Sequence, residues 1–81
     1  MAKTLGSKRH KALIELLIAK REAAGLTQVG LATKLGEYQS FVARLESGQR
    51  RVDLVEFLEL SDLLKFDAVE VLEAIAQIPS R

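Results

Sequence analysis

The side chains in this sequence that could do chemistry are cations and hydrogen-bonding amides rather than nucleophiles or metal ligands. The chain of 81 residues contains no cysteine and a single histidine, His10, and its five glycines occur one at a time. These counts exclude thiolate nucleophiles, zinc–thiolate sites and glycine-rich phosphate loops. Because the sequence assembles no nucleophile, metal cluster or acid–base pair, we expect no enzymatic activity, no metal site and no cofactor.

The cationic side chains are concentrated in one part of the chain. Residues 1–51 contain ten Lys and Arg against four Asp and Glu, a net charge of +6. Residues 52–81 contain two against seven, a net charge of −5, so the overall charge is only +1. A basic segment of this kind is what the binding of a polyanion requires.

Helices must position these side chains, because apolar residues recur at helical spacing and glycines interrupt the pattern. Thr27, Asp53 and Asp67 are suitable N-cap residues. We expect a flexible basic arm over residues 1–7 and a single domain over residues 8–78. The predicted helices span about residues 8–24, 27–35, 38–47, 53–64 and 67–78, which makes a compact all-α fold of five helices.

Residues 25–48 have the spacing of two short helices joined by a tight turn. Ala32 lies at the predicted helix crossing, where a larger side chain would push the helices apart. Gly36 lies where the chain must reverse direction, and glycine tolerates the positive φ of such a reversal. Val42 and Leu45 supply the inner face of the second helix. The spacing therefore fits a helix-turn-helix whose second helix projects from the domain.

At this motif the sequence resembles the lambda-repressor-like family of helix-turn-helix regulators, the Cro-type proteins also called the Xre family. The resemblance covers about residues 12–76. It implies an all-α, five-helix fold whose third helix enters the major groove of DNA. The matching segments are GLTQ at 25–28, LA at 31–32, LG at 35–36, QSFV at 39–42, LESG at 45–48, QRRVD at 49–53 and EF at 56–57. The last two of these segments are similar to those of a chromosomal bacterial subgroup.

The resemblance implies DNA contacts on and around helix 3. By position, Gln39, Ser40 and Arg44 correspond to the base-reading residues of the family. Ala43 on the same helix is placed to touch a thymine methyl group. Phosphate contacts are implied where helix N-termini and cations favour anions. These phosphate-binding candidates are Gln28, Lys34, Tyr38, Arg50 and Arg51.

Further assignments concern the edges of this site. The family implies a structural ion pair between Arg21 and Glu46, which would tie helix 1 to the end of helix 3. Tyr38 either contacts the DNA backbone or only caps helix 3. Glu37 in the turn either carries its charge toward the DNA or favours the positive N-terminus of helix 3. The basic residues near the N-terminus are either solvated or reach the DNA backbone, and they are Lys3, Lys8, Arg9 and Lys11.

Helix 5 carries more apolar surface than a small domain usually buries. One stripe consists of Val69, Leu72 and Ala76, and a second stripe, the predicted dimer interface, consists of Val71, Ile75 and Ile78. Because one helix in so small a domain rarely buries two stripes internally, a second subunit is expected to cover one of them. A two-fold homodimer would then place two recognition helices about 34 Å apart on DNA. The alternative is a fully intramolecular core.

Together with the resemblance, these features imply a sequence-specific double-stranded DNA-binding transcriptional regulator in the bacterial cytoplasm. It is expected to be a homodimeric repressor or autoregulator that reads a near-palindromic operator. An alternative is an antitoxin-like protein that binds a small partner toxin and also its own operator. No apolar run approaches the roughly 20 residues that span a bilayer, and no signal peptide is visible, so no membrane association is expected.

Overall fold

The computed structural model describes residues 4–79, and every regular element within them is an α-helix. Residues 1–3 of the predicted arm lie outside the described residues, and residues 4–7 form a turn that leads into the first helix. The predicted five-helix fold is confirmed, with small differences at the helix ends. The helices are α1 Lys8–Ala23, α2 Gln28–Leu35, α3 Gln39–Glu46, α4 Leu54–Leu64 and α5 Ala68–Ala76.

Side-chain caps determine where these helices begin. The Thr27 hydroxyl accepts a hydrogen bond from the Gly30 N–H at 3.0 Å, which caps α2. Asp53 and Glu56 cap α4 reciprocally, because each carboxylate accepts the backbone N–H of the other residue, at 2.7 and 3.0 Å. Asp67 caps α5 in the predicted way. A cap of this kind contributes about 1 kcal/mol, so these local signals define the helix starts.

The turn between α2 and α3 depends on Gly36. Its backbone lies in the left-handed region, with φ 71° and ψ 30°. The next residue, Glu37, donates its N–H to the Ala32 carbonyl at 2.9 Å, which closes the end of α2. A side chain at position 36 would be strained by this φ value, so glycine allows α3 to start within three residues of α2.

All five helices contribute to one hydrophobic core. Val42 of α3 is completely buried, and Leu60 of α4 is 2% exposed. The prediction that Leu31, Ala32, Val42 and Leu45 form the scaffold is confirmed. The buried apolar residues are Ile14, Leu17, Leu31, Ala32, Val42, Leu45, Phe57, Leu60, Leu64 and Val71.

Arg9 ties the end of α5 to the start of α1. Its Nε donates a hydrogen bond to the Ile78 carbonyl at 2.7 Å, and its Nη2 donates to the Ala76 carbonyl at 3.2 Å. These carbonyls lie at the end of α5, where a helix lacks internal donors and favours positive charge. Arg9, one of the candidates for DNA backbone contact, therefore also connects the start of α1 to the end of α5.

The orientation of α5 determines which residues of the predicted dimer interface are accessible in a single chain. Val71 is 5% exposed and belongs to the core, so it is not available to a second subunit. Ile75 and Ile78 from the same predicted stripe are half-buried. The exposed stripe is the other one, because Val69 and Leu72 are 62% and 46% exposed. The physical reason is that α5 packs on α1 and α4 through the Val71 side.

Candidate nucleic-acid interface

The third helix presents one polar face to solvent. Its apolar residues Val42 and Leu45 are buried against the other helices and fix its rotation about its own axis. The opposite face is therefore turned away from the core. Of the predicted base-reading residues, Gln39, Ser40 and Arg44 are exposed and Ala43 is half-buried. The side chains of Gln39, Ser40 and Arg44 are consequently accessible on one helix face, as a reader of base edges requires.

The predicted ion pair between Arg21 and Glu46 is present. The Arg21 Nε lies 2.6 Å from Glu46 Oε2, its Nη2 lies 3.0 Å from Oε1, and its Nη1 donates to the Leu26 carbonyl at 2.7 Å. The two side chains are 12% and 6% exposed. The hydrogen bond with Glu46 raises the pKa of Arg21 even though burial acts in the opposite direction. This pair joins α1 to the last residue of α3.

The ion pair extends through a hydrogen-bond chain to the predicted base-reading face. Gln28 Nε2 donates to Glu46 Oε1 at 3.0 Å. Gln39 Nε2 in turn donates to Gln28 Oε1 at 2.8 Å. Gln28 was predicted as a phosphate contact, and here its amide bridges the ion pair and the exposed Gln39. Its position at the first residue of α2 allows both bonds at once.

This arrangement leaves Gln39 with free hydrogen-bonding capacity in a fixed orientation. A glutamine amide has two N–H donors and one carbonyl acceptor. One N–H of Gln39 is used by Gln28. The second N–H and the carbonyl oxygen remain for an outside partner, which is the donor and acceptor pair that adenine accepts in the major groove.

Arg50, a predicted phosphate contact, has partners within the chain. Its Nη1 and Nη2 donate to the two oxygens of Glu56 at 3.1 and 2.9 Å. Its guanidinium carbon also lies 4.4 Å from the ring centroid of Phe41. The Arg50 and Glu56 side chains are 30% and 28% exposed, so this pair is in contact with solvent. Arg50 therefore pairs with a carboxylate at the start of α4.

The other predicted phosphate contacts are more accessible. Lys34 and Arg51 are exposed, and the Arg51 guanidinium donates a hydrogen bond to the hydroxyl of Thr4. Tyr38 is 84% exposed. It occupies the N-cap position of α3, but its side chain makes no capping hydrogen bond. The tyrosine hydroxyl is thus available to a partner, and Glu37 beside it is also exposed.

Sequence reasoning missed Glu56 and Phe41 as the partners of Arg50. A signal was present for Glu56, because Asp53 and Glu56 have the spacing of a capping box. A capping box directs the glutamate side chain back toward the start of its helix, and therefore toward the preceding loop. The proximity of Phe41 to that loop is a tertiary contact and has no local signal.

Several apolar side chains on α4 and α5 are exposed, and we refer to them together as the α4–α5 patch. They are between 45% and 71% exposed, and an apolar groove of about 230 Å³ lies beside two of them, Leu54 and Leu72. The patch consists of Leu54, Val55, Leu58, Val69 and Leu72.

Residues 4–79 contain neither a membrane-spanning helix nor a cluster of metal ligands. None of the helices in this part of the chain is both long and apolar enough to cross a bilayer. In the same residues, no group of three or more His, Asp or Glu side chains is placed to hold a metal ion. The single histidine, His10, lies in the first turn of α1, where its backbone N–H is bound by Ser7 Oγ at 3.1 Å.

Comparison with known proteins identifies the class to which this fold and interface belong. The family model described as a helix-turn-helix domain matches residues 13–74. Among solved structures, an XRE-family like protein from Pseudomonas syringae pv. tomato str. DC3000 superposes with a TM-score of 0.78. The two sequences are 40% identical, and the match covers 88% of each chain. A search of curated proteins found no match.

The chain therefore belongs to the XRE-type helix-turn-helix family. This is a family of DNA-binding regulators, and the family match includes the whole of α2, the turn and α3. The resemblance inferred from the sequence motifs is confirmed, as is the lambda-repressor-like all-α fold.

Proposed function

We propose that this protein is a sequence-specific regulator of transcription that reads double-stranded DNA by inserting α3 into the major groove. The observation that supports this most is the hydrogen-bond chain from Arg21 through Glu46 and Gln28 to Gln39. It holds an exposed amide in one orientation before DNA binds. A side chain that is ordered in advance loses less conformational entropy on binding, so the chain of bonds favours readout.

The base-reading roles follow from the chemistry of the exposed face. Gln39 pairs with an adenine through its free N–H and carbonyl oxygen, and Arg44 pairs with a guanine through two donors. Ser40 donates to or accepts from either base, and Ala43 contacts a thymine methyl group at the edge of the face. Each bidentate pair supplies about 1–3 kcal/mol of discrimination against a wrong base.

The phosphate contacts surround this face. Lys34, Tyr38 and Arg51 are exposed beside α3 and donate to the DNA backbone. Gln28 retains one amide hydrogen for a phosphate at the N-terminus of α2, where the helix dipole favours an anion. Arg50 can contact a phosphate only after its ion pair with Glu56 breaks. These contacts fix the register of α3 on the duplex and make the affinity depend on salt.

Selection of bound DNA from a random pool, at a stated salt concentration, tests the proposal. We expect a near-palindromic consensus with conserved adenine and guanine positions in each half. The variant Gln39→Ala should lose the preference at one position per half-site and keep the others. Recovery of unrelated sequences, with affinity that depends on salt alone, would contradict sequence-specific reading.

The reader is proposed to be a homodimer that uses the α4–α5 patch. Leu54 and Leu72 border the apolar groove. In a two-fold dimer, these leucines of each subunit would pack against the groove of the other subunit. Two copies of α3 would then lie about one DNA turn apart and read the two halves of a palindrome. A dimer that forms as the protein concentration rises suits a bacterial cytoplasmic repressor or autoregulator, because the occupancy of its DNA operator then increases steeply with protein concentration.

Sedimentation velocity tests the dimer. Val69→Asp should abolish self-association without unfolding the chain, because this side chain is 62% exposed. Glu73→Ala, an exposed position on the same helix, is the matched control and should not weaken the dimer. Because the two-fold brings acidic α5 surfaces together, added salt should strengthen the dimer while it weakens DNA binding. A single-chain mass at tens of micromolar would refute this interface.

A second candidate, an antitoxin-like role, is favoured by the charge of the same region. Residues 52–79 contain one Lys against seven Asp and Glu, so an apolar patch lies within an acidic surface. Such a surface suits a small basic toxin as well as a second copy. Co-expression with a toxin-like protein encoded beside the gene would decide between them, because a toxin would replace the homodimer by a complex of defined stoichiometry.

A further inference from the structure

A second concave site lies away from the α4–α5 patch, between α3 and α4 at the α2–α3 turn. It has a volume of about 190 Å³, and we call it the α3–α4 pocket. Its apolar lining consists of Leu35, Phe41, Leu45 and Leu60. Leu45 and Leu60 are each 2% exposed and form its floor, whereas Phe41 is half-buried and forms part of its wall. The apolar stem of a side chain could pack against these groups.

The remaining lining residues of the α3–α4 pocket are all carboxylates. They are Glu37 from the turn and Glu56 and Glu59 from α4. Glu56 is neutralised by Arg50. Within residues 4–79, Glu37 and Glu59 form no salt bridge. An occupant must therefore combine an apolar stem with a positive charge, and a DNA phosphate would be repelled.

The chain itself shows which cation this environment accepts. The Arg50 guanidinium already lies 4.4 Å from the centroid of Phe41 and pairs with both oxygens of Glu56, two groups that line the pocket. A planar guanidinium can stack on an aromatic ring and pair with a carboxylate at the same time. An ammonium group offers no planar face, so the observed geometry favours arginine over lysine.

The size of the pocket selects the kind of molecule that carries the cation. Pockets for free small molecules typically enclose about 300–1,000 Å³. The α3–α4 pocket, at about 190 Å³, is smaller and suits one long side chain. Arginine is among the side chains that most often anchor protein–protein interfaces in such pockets. The acidic charge of α4, which also carries the exposed Asp62, complements a basic protein surface.

We propose that the α3–α4 pocket binds an arginine side chain presented by a basic protein partner. The methylene stem packs on the half-buried Leu35 and Phe41, above the floor formed by Leu45 and Leu60, and the guanidinium pairs with Glu37 and Glu59. Because the pocket includes Phe41 and Leu45 of α3, a partner docked here contacts the recognition helix directly. The site does not depend on DNA binding, so it can be tested on the chain alone.

The test is an NMR titration of the isotope-labelled full chain with two capped peptides, Ala-Arg-Ala and Ala-citrulline-Ala, at low salt. Citrulline has the shape of arginine without its charge. We expect the arginine peptide to shift the amide signals of Phe41, Glu59 and Leu60. The citrulline peptide should bind about five-fold more weakly, as two partly exposed charge pairs predict.

Matched glutamate variants complete the test. Glu59→Gln should reduce binding of the arginine peptide and leave the citrulline peptide unaffected. Glu73→Gln, an exposed carboxylate on α5, should change neither. The proposal fails if both peptides bind equally, if Glu73→Gln has the same effect as Glu59→Gln, or if the shifts lie outside the pocket. It also fails if Glu59→Gln abolishes self-association, because the occupant would then be a second copy of the chain.

Discussion

Removing the carboxylate of Glu46 should destabilise the domain far more than removing an exposed glutamate. Glu46 accepts two hydrogen bonds from Arg21 and one from Gln28, and its side chain is only 6% exposed. In Glu46→Ala the largely buried Arg21 guanidinium keeps only the Leu26 carbonyl as a partner. Loss of one member of a buried pair costs about 3–5 kcal/mol. Because Arg21 retains one hydrogen bond and some exposure, we expect about 3 kcal/mol.

That loss is large for a chain of 81 residues. At roughly 0.05–0.15 kcal/mol per residue, its free energy of unfolding is on the order of 4–12 kcal/mol. The melting temperature should fall by about 4–8 °C per kcal/mol. Urea unfolding of the wild type and Glu46→Ala measures the difference, with the exposed Glu37→Ala as the control, which should change stability by less than about 0.5 kcal/mol.

The raised pKa of Arg21 also determines how the stability difference between the wild type and Glu46→Ala depends on pH. The pKa of Arg21 is raised above its ordinary value, which is already high. The stabilisation that Arg21 provides is therefore complete at any pH below its ordinary pKa, and it is lost only as the pH rises through the raised pKa. Between pH 7 and 10 the stability difference should therefore not change on account of Arg21. If Glu46→Ala lowered the free energy of unfolding by less than about 1 kcal/mol, as the loss of an exposed pair would, the structural role of the buried pair would be refuted.

Four further substitutions test separate parts of the structure. Arg44→Ala should reduce the free energy of DNA binding by about 1–3 kcal/mol through the loss of one base contact. Arg51→Ala should weaken binding to all DNA sequences equally and reduce the slope of log affinity against log salt concentration by about 1 per chain. Binding isotherms at several salt concentrations measure both effects. Glu56→Gln keeps an acceptor for the helix cap but frees Arg50, so DNA affinity at low salt should rise; a fall would mean that Glu56 orients Arg50 for DNA. Lys65 has φ 57°, so Lys65→Gly should raise the free energy of unfolding in urea by about 0.5–1 kcal/mol, and lower stability would contradict this conformation.

Local signals made the helices and the turn predictable. Thr27 and Asp53 cap helices through bonds that reach only three residues along the chain, so their positions in the sequence indicate the helix starts. Gly36 marks the left-handed residue that ends α2 for a similarly local reason. The pairing of Arg21 with Glu46 spans two helices, and it was inferred from the family resemblance rather than from any local signal.

Features that depend on tertiary packing were not predictable. Both stripes of α5 are apolar, and the choice of Val71 for the core is set by packing on α1, including the Arg9 hydrogen bonds. The pairing of Arg50 with Glu56 depends on how the loop approaches α4. The bridge through Gln28 likewise has no local signal, because it joins the start of α2 to both ends of α3.

The central claim is that Gln39, held by Gln28 and Glu46, reads a base edge from α3. The most direct test measures the affinities of wild type and Gln39→Ala for the selected DNA site and for the same site with one adenine replaced. For the wild type, the base change should cost about 1–3 kcal/mol, and for Gln39→Ala it should cost almost nothing. If Gln39→Ala discriminated against the altered site as strongly as the wild type does, the reading of bases by this residue would be disproved.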